Sequence, residues 1–313
     1  MQKSAGTLTR IEFDVLSALL ESFADFSAEV IAEEKAVDTQ LVLDTVSSMQ
    51  KQGWLDANGI TALGLVQLEP YKVQRAVIMA AGFGSRLVPI TLNTPKPLVR
   101  VHGKRMIDSV LDAVVAAGIE EIVIIRGYLG EQFDQLRYKY PQVQFVENPI
   151  YNQANNISSM VYAKALLKRA YVMEADLLLS NPKLIKKYQY CSNFLGIPVE
   201  QSDDWCFVVQ DGVIRAQIPN GNEYKDKLTA QQTLYQEVGI SYWSEEDGEK
   251  LERHLQEVFD RADGKSRYWD QVVFVDRAGQ YAVEIRPCQI EDIVEIDSYR
   301  ELVLIDEQYK VTL

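Results

Sequence analysis

The chain has 313 residues, 47% of them hydrophobic and 25% charged, with 17 Gly and 10 Pro. That profile fits a folded globular protein of two domains, or one large α/β domain with an appendage, and excludes disordered, collagen-like and repeat-biased chains. The net charge of −13 works against nucleic-acid binding, because phosphate backbones are held by Lys and Arg.

The first 72 residues differ from the rest. Ile11, Val15, Leu16, Leu19 and Leu20 recur at helical spacing in Ile11–Ser22, and the pattern returns in Ala28–Glu34 and Thr39–Gln52. Trp54-Leu55, the turn Asp56-Ala57-Asn58-Gly59 and Ile60–Leu63 then read as a small hairpin. Three helices and a hairpin predict a winged-helix-like domain over 1–72. Its five basic residues face eleven acidic ones, and its would-be recognition helix, Asp38–Gln52, offers only Lys51. Packing, dimerisation or regulation is therefore expected of it rather than DNA binding.

From Val73 to the end, residues 73–313, strand and helix alternate. Strands are predicted at Ala76–Ala80, Glu121–Arg126, Gln144–Glu147 and Tyr171–Ala175. Helices are predicted at Ile107–Ala117, Glu131–Tyr140 and Ser158–Lys168. This predicts an α/β domain with a mixed, mainly parallel sheet covered by helices. Beyond Pro182 the pattern turns antiparallel at Trp205–Gln210, Val213–Ile218 and Tyr235–Trp243, read as a second sheet or an extension. A helix over Glu245–Arg261 and another after Asp297 follow. Three dispersed cysteines and two histidines form neither a disulfide framework nor a zinc cluster, which points to a reducing cytoplasm. No apolar run reaches the roughly 18 residues of a membrane span, and Met1–Arg10 lacks a basic segment followed by an apolar one.

The most informative stretch is Ala80-Ala81-Gly82-Phe83-Gly84-Ser85-Arg86-Leu87, followed by Thr94-Pro95-Lys96-Pro97-Leu98. Glycines directly after a buried strand let the backbone approach a ligand, and successive N–H groups make an anion-binding concavity. No Gly-Lys-Ser/Thr closes the loop and Leu87 stands where the dinucleotide fingerprint has its third glycine, so both standard phosphate motifs are excluded.

The whole string from Ala80 to Val101 resembles the signature of nucleotidyltransferases with a glycosyltransferase-A-like fold. Within them, residues 75–303 are similar to bacterial CTP:phosphocholine cytidylyltransferases through Ile124–Leu129, Tyr151–Asn156, Glu174-Ala175-Asp176, Tyr268-Trp269-Asp270 and Glu295–Ser298. The resemblance implies transfer of a cytidylyl group from CTP to phosphocholine, giving CDP-choline and pyrophosphate. It implies phosphate-handling roles for Arg86 and Lys96, Mg²⁺ ligation by Asp176 and Asp297, and nucleotide contacts from Ala80, Ala81, Gly82, Gly84, Asn155, Asn156 and Ser158. Asparagines at 155 and 156 also suit a helix cap. A quaternary ammonium is best held by aromatic faces with carboxylates nearby, for which Trp205, Trp243, Trp269, Asp270 and Glu295 are the candidates.

Two alternatives stay open. One is the same chemistry on 2-aminoethylphosphonate, an alditol phosphate or a sugar 1-phosphate. The other is a nucleotide-sensing winged-helix regulator, against which intact Arg86, Lys96, Asp176 and Asp297 speak. The base preference and the oligomeric state, a homo-oligomer included, are not read from the residues.

Overall fold

The computed structural model describes residues 7–23 and 26–310; Met1–Gly6, within the opening stretch discussed above, lie outside them. The chain divides into two compact units, one running to Lys72 and taking in Tyr188–Tyr190, the other comprising Val73–Lys187 and the chain from Cys191 onward.

In the first unit, helices Arg10–Glu21, Ala28–Lys35 and Thr39–Lys51 each begin at a side-chain cap. Thr9 and Glu12 close a capping box, and Ser27 and Asp38 accept from the first turns of the next two helices. Their apolar faces meet in a core that includes Leu16, Ile31, Val42, Met49 and Leu68. Tyr71 stacks on Tyr190 with ring centroids 5.5 Å apart. The hairpin is shorter than the sequence suggests: Leu55–Asp56 pairs with Gly59–Ile60, and a helix over Ala62–Leu68 replaces the rest of the second strand. The reason is local, because the Thr61 hydroxyl accepts from the Gly64 N–H and starts a helix there.

In the second unit nine strands form one sheet among the described residues. In chain order they are β1 (Arg75–Ala80), β2 (Glu121–Arg126), β3 (Val143–Glu147), β4 (Ala170–Glu174), β5 (Asn193–Val199), β6 (Cys206–Gln210), β7 (Val213–Ile218), β8 (Gln232–Trp243) and β9 (Glu284–Pro287). Strands β4, β1, β2 and β3 run parallel side by side. The antiparallel part is not a separate sheet but a continuation of the same one. The second half of β8 pairs with β4 and its first half with β6, while β5 runs along both halves.

The change of partner occurs at a bulge. Phe194 faces Ser241, yet Gly196 already faces Glu237, and Gly239 sits between at φ +57°. That backbone conformation costs a residue with a Cβ but not glycine. One sheet face packs on the helix Met106–Ala116 and the other on Ile157–Ala163 and Glu245–Phe259, giving two separate cores. The predicted helix at Glu131–Tyr140 is a 3₁₀ segment, Gly130–Tyr138. Strands β5 and β9 were not among the strands expected from the sequence.

Candidate active site

Open α/β sheets bind ligands beyond the carboxyl ends of their parallel strands, and here β1 and β4 deliver the loop Ala81–Gly84 and the pair Glu174 and Asp176 to that edge. Gly84 has φ +67°, and a Cβ on it would lie 2.9 Å from the Lys96 Cβ. Its carbonyl accepts from the Thr91 hydroxyl at 2.9 Å. The glycine thus lets the Pro95-Lys96-Pro97 segment close against the loop, which directs the Lys96 side chain inward, where only 9% of it is exposed.

The Lys96 Nζ donates to Asp176 Oδ2 at 2.6 Å and to Asp297 Oδ1 at 2.9 Å, and the exposed Arg86 donates to the same Asp297 oxygen at 2.7 Å. Two cations and two carboxylates spread over 211 positions therefore meet in one cluster. A short ladder brings the last of them in: Ile293–Glu295 pairs antiparallel with Leu177–Leu179, and the Ile296 N–H reaches the Asp176 carbonyl at 3.4 Å. Asp297 also opens the final helix, its own N–H donating to Glu301 while Ser298 and Glu301 form a capping box. Capping and ion pairing coexist because the first uses its backbone and the second its side chain.

The charges explain each other's titration. Burial would discharge Lys96, but Asp176 and Asp297 outweigh it and raise the ammonium above its ordinary value. Burial likewise opposes ionisation of Asp297, and Lys96 with Arg86 overcomes it to hold that carboxyl low. Glu174 and Glu295 go the other way: enclosure first, then the neighbouring acids, push both well above the ordinary glutamate value. Carboxylate oxygens of Glu174, Asp176 and Glu295 lie within 4.8 Å of one another. Three crowded carboxyl groups, all offering oxygen, form a donor set that fits a hard divalent cation. Sequence reasoning assigned Glu295 to the acceptor and missed Glu174; the Glu-x-Asp pattern at a strand end is the signal that pointed to it.

The cleft has a volume of about 410 Å³, and a lobe of about 250 Å³ continues it past Gly82, Gly84, Ser85, Arg86 and Lys96. Ala81, Gly82, Asn155, Asn156 and Ser158 line the cleft, and Ala80 lines the lobe. The asparagines spend their side chains on the opposite wall. Asn155 donates to the Ser266 carbonyl at 3.3 Å and Asn156 accepts from the Trp269 N–H at 2.9 Å, which ties down the segment carrying Tyr268 and Asp270. Ser158 and Ser159 are buried and both accept from Asn148.

The aromatic expectation needs correction. Trp243 is fully buried and Trp269 nearly so, and the two contact each other and Phe194 in the core rather than the cleft. Both faces of β8 are covered, Tyr242 lying in one core and Trp243 in the other, so neither ring is free for a ligand. Trp205 does line the cleft, in edge contact with Tyr268 at 5.8 Å. Asp270 and Glu295 line it too, joined by Asp204, the neighbour of Trp205, and by Glu237, which sequence reasoning passed over. Counting the described residues of its wall, seven are acidic and only Arg86 is basic.

A glycine loop, paired cations and clustered acids at the carboxyl edge of a mixed sheet define a protein that handles phosphorylated nucleotides. Residues 75–190 match the nucleotidyl transferase family. The chain is 35% identical over 237 residues to a 2-aminoethylphosphonate cytidylyltransferase of Lancefieldella rimae, covering 75% of this chain and 92% of that protein. It is 31% identical to a choline-phosphate cytidylyltransferase of Streptococcus pneumoniae, over 75% and 98% of the two chains. A solved CTP:phosphocholine cytidylyltransferase from Streptococcus pneumoniae superposes with a TM-score of 0.67 at 30% identity, covering 75% of this chain and 99% of its own. The chain belongs to the nucleotidyl transferase family. The family match begins at Arg75, so the chain up to Lys72 lies outside it. No helix among the described residues is long and apolar enough to cross a membrane.

Proposed function

We propose that this chain transfers a cytidylyl group from CTP to a small acceptor with a phosphonate or phosphate at one end and an ammonium at the other. An acceptor oxygen attacks the α-phosphorus, the bond from that phosphorus to the bridging oxygen breaks, and pyrophosphate leaves with the electron pair. Both reactants are anions, and Arg86 and Lys96 supply the positive charge beside the glycine loop.

The observation that carries the reading is the cleft's polarity: the cations gather at the loop end, while Glu237, Asp270 and Asp204 line the other part with Trp205 and Tyr268. Such a wall favours a primary ammonium, which needs acceptors for its three N–H bonds. The relative from Lancefieldella rimae supports 2-aminoethylphosphonate as that acceptor. Phosphocholine is the second reading, favoured by the Trp205–Tyr268 pair and by the streptococcal relative. Glu174, Asp176 and Glu295, with Asp297 beside them, would hold Mg²⁺, which neutralises phosphate oxygens when bound.

On this reading the protein works in the cytoplasm, where CTP is available, and its first unit does not grip DNA. The exposed positions of the helix Thr39–Lys51 include Lys51 as their one cation, beside Asp44. Pyrophosphate release from each of four NTPs, crossed with 2-aminoethylphosphonate, phosphocholine and glucose 1-phosphate, tests the proposal. CTP with an amine acceptor is expected to be the active combination. Turnover confined to the sugar phosphate, or none at all, defeats it.

A further inference from the structure

Glu237 on β8 and Asp270, just past the 3₁₀ turn Gly264–Ser266, both line the acidic part of the cleft, yet among the described residues no cation pairs with either. Gln217 on β7 lies behind them, buried and outside the cleft wall. Its single Nε2 donates to Glu237 Oε2 at 2.8 Å and to Asp270 Oδ2 at 2.6 Å. The other Asp270 oxygen accepts from the Gln271 N–H at 2.9 Å. Gln217 Oε1 is buried and has no hydrogen-bond partner among the described residues. A buried amide that leaves its oxygen unsatisfied is oriented by its nitrogen. Both N–H bonds are committed, so the angle between them sets the spacing of the two carboxyl groups.

We propose that Gln217 is a specificity-determining positioning residue: its amide holds Glu237 and Asp270 as a spaced pair that receives the ammonium of the acceptor, favouring a primary ammonium over a trimethylammonium. The inference deepens the proposed function and rests on it. A primary ammonium can donate to both carboxylates at once, so it gains from fixed spacing. A trimethylammonium donates to neither and depends on ring faces and diffuse charge, so it is indifferent to a small movement of either carboxylate. Enclosure and the adjoining Asp270 already push the Glu237 carboxyl well above its ordinary value, which is the state a nearby cation would reverse.

The test is steady-state kinetics of the full-length protein with CTP and either 2-aminoethylphosphonate or phosphocholine. Gln217→Met keeps length and volume but loses both donors. Gln217→Asn keeps the amide but is too short to span the pair, and it serves if the first variant does not fold. Either variant is expected to raise KM for 2-aminoethylphosphonate about tenfold, leave KM for CTP within twofold, and lower the preference for the primary over the quaternary amine. A wild-type protein that turns over neither amine removes the underlying reading and this inference with it. An active wild type whose variants keep the acceptor KM, or lose affinity for CTP and acceptor alike, overturns the inference alone.

Discussion

Replacing Lys96 by Met tests the centre of the site. The side chain keeps its length and bulk, while the ammonium that lies 2.6 Å from Asp176 and 2.9 Å from Asp297 is lost. At an effective dielectric constant of about 20 each contact is worth about 6 kcal/mol before desolvation is set against it. Truncating one partner of such a buried pair typically costs about 3–5 kcal/mol. Part of that is recovered here because Asp176 and Asp297 keep about a quarter of their side-chain surface exposed: water and protons can reach them, so a net loss of stability of about 1–2 kcal/mol is expected. Catalysis is affected more, since removing one preorganised donor to a developing phosphate charge lowers kcat about 10²–10³-fold. Among the described residues lining the cleft, removal of the ammonium also leaves Glu174, Asp176, Glu295 and Asp297 with Arg86 as their one cation, so Mg²⁺ should bind at least as tightly as before. Pyrophosphate release, thermal unfolding and calorimetric Mg²⁺ titration together check this. A Lys96→Met protein that folds and retains turnover within threefold of the wild type would refute the reasoning, as would loss of Mg²⁺ binding alongside activity.

Four further outcomes follow from single positions. Gly239→Ala forces a Cβ into a left-handed conformation and to within 2.9 Å of Glu174 Oε2; it should cost about 1–2 kcal/mol and raise the Mg²⁺ concentration needed for half-maximal activity, read by titrating the metal. Trp243→Ala should destabilise by about 3–5 kcal/mol in urea unfolding, because the ring is core, whereas Trp205→Ala should raise acceptor KM with little change in unfolding. Glu237 binds its proton more tightly folded than unfolded, so its contribution to stability falls as pH rises above the ordinary value of 4.5. Glu237→Gln should therefore be more stable than the wild type at pH 7–8 and lose that advantage near pH 4; equal unfolding curves at neutral pH would contradict the buried proton.

The elements with one covered face, or with a cap and a glycine to punctuate them, were legible along the chain. The first three helices are of this kind; β1 and β2 were legible as short apolar runs ending at glycines, and the Ala80–Leu98 string by its glycines and cations, because spacing, glycine position and charge are local properties. Strand β5 was not, and neither was the fate of Trp243: a strand covered on both faces has no alternation to read, so core and ligand-facing rings look alike. The sequence by itself pointed to Arg86 and Lys96 for phosphate and to Asp176 and Asp297 for metal, each in a recognisable local context, but it assigned Glu295 to the acceptor and did not single out Glu174. Only the tertiary structure decided how they group. The ladder between Leu177–Leu179 and Ile293–Glu295 sets Glu295 beside Asp176, and Gln217 spaces Glu237 from Asp270. Coulomb energy depends on distances of a few ångströms through space, and separation along a chain does not encode them.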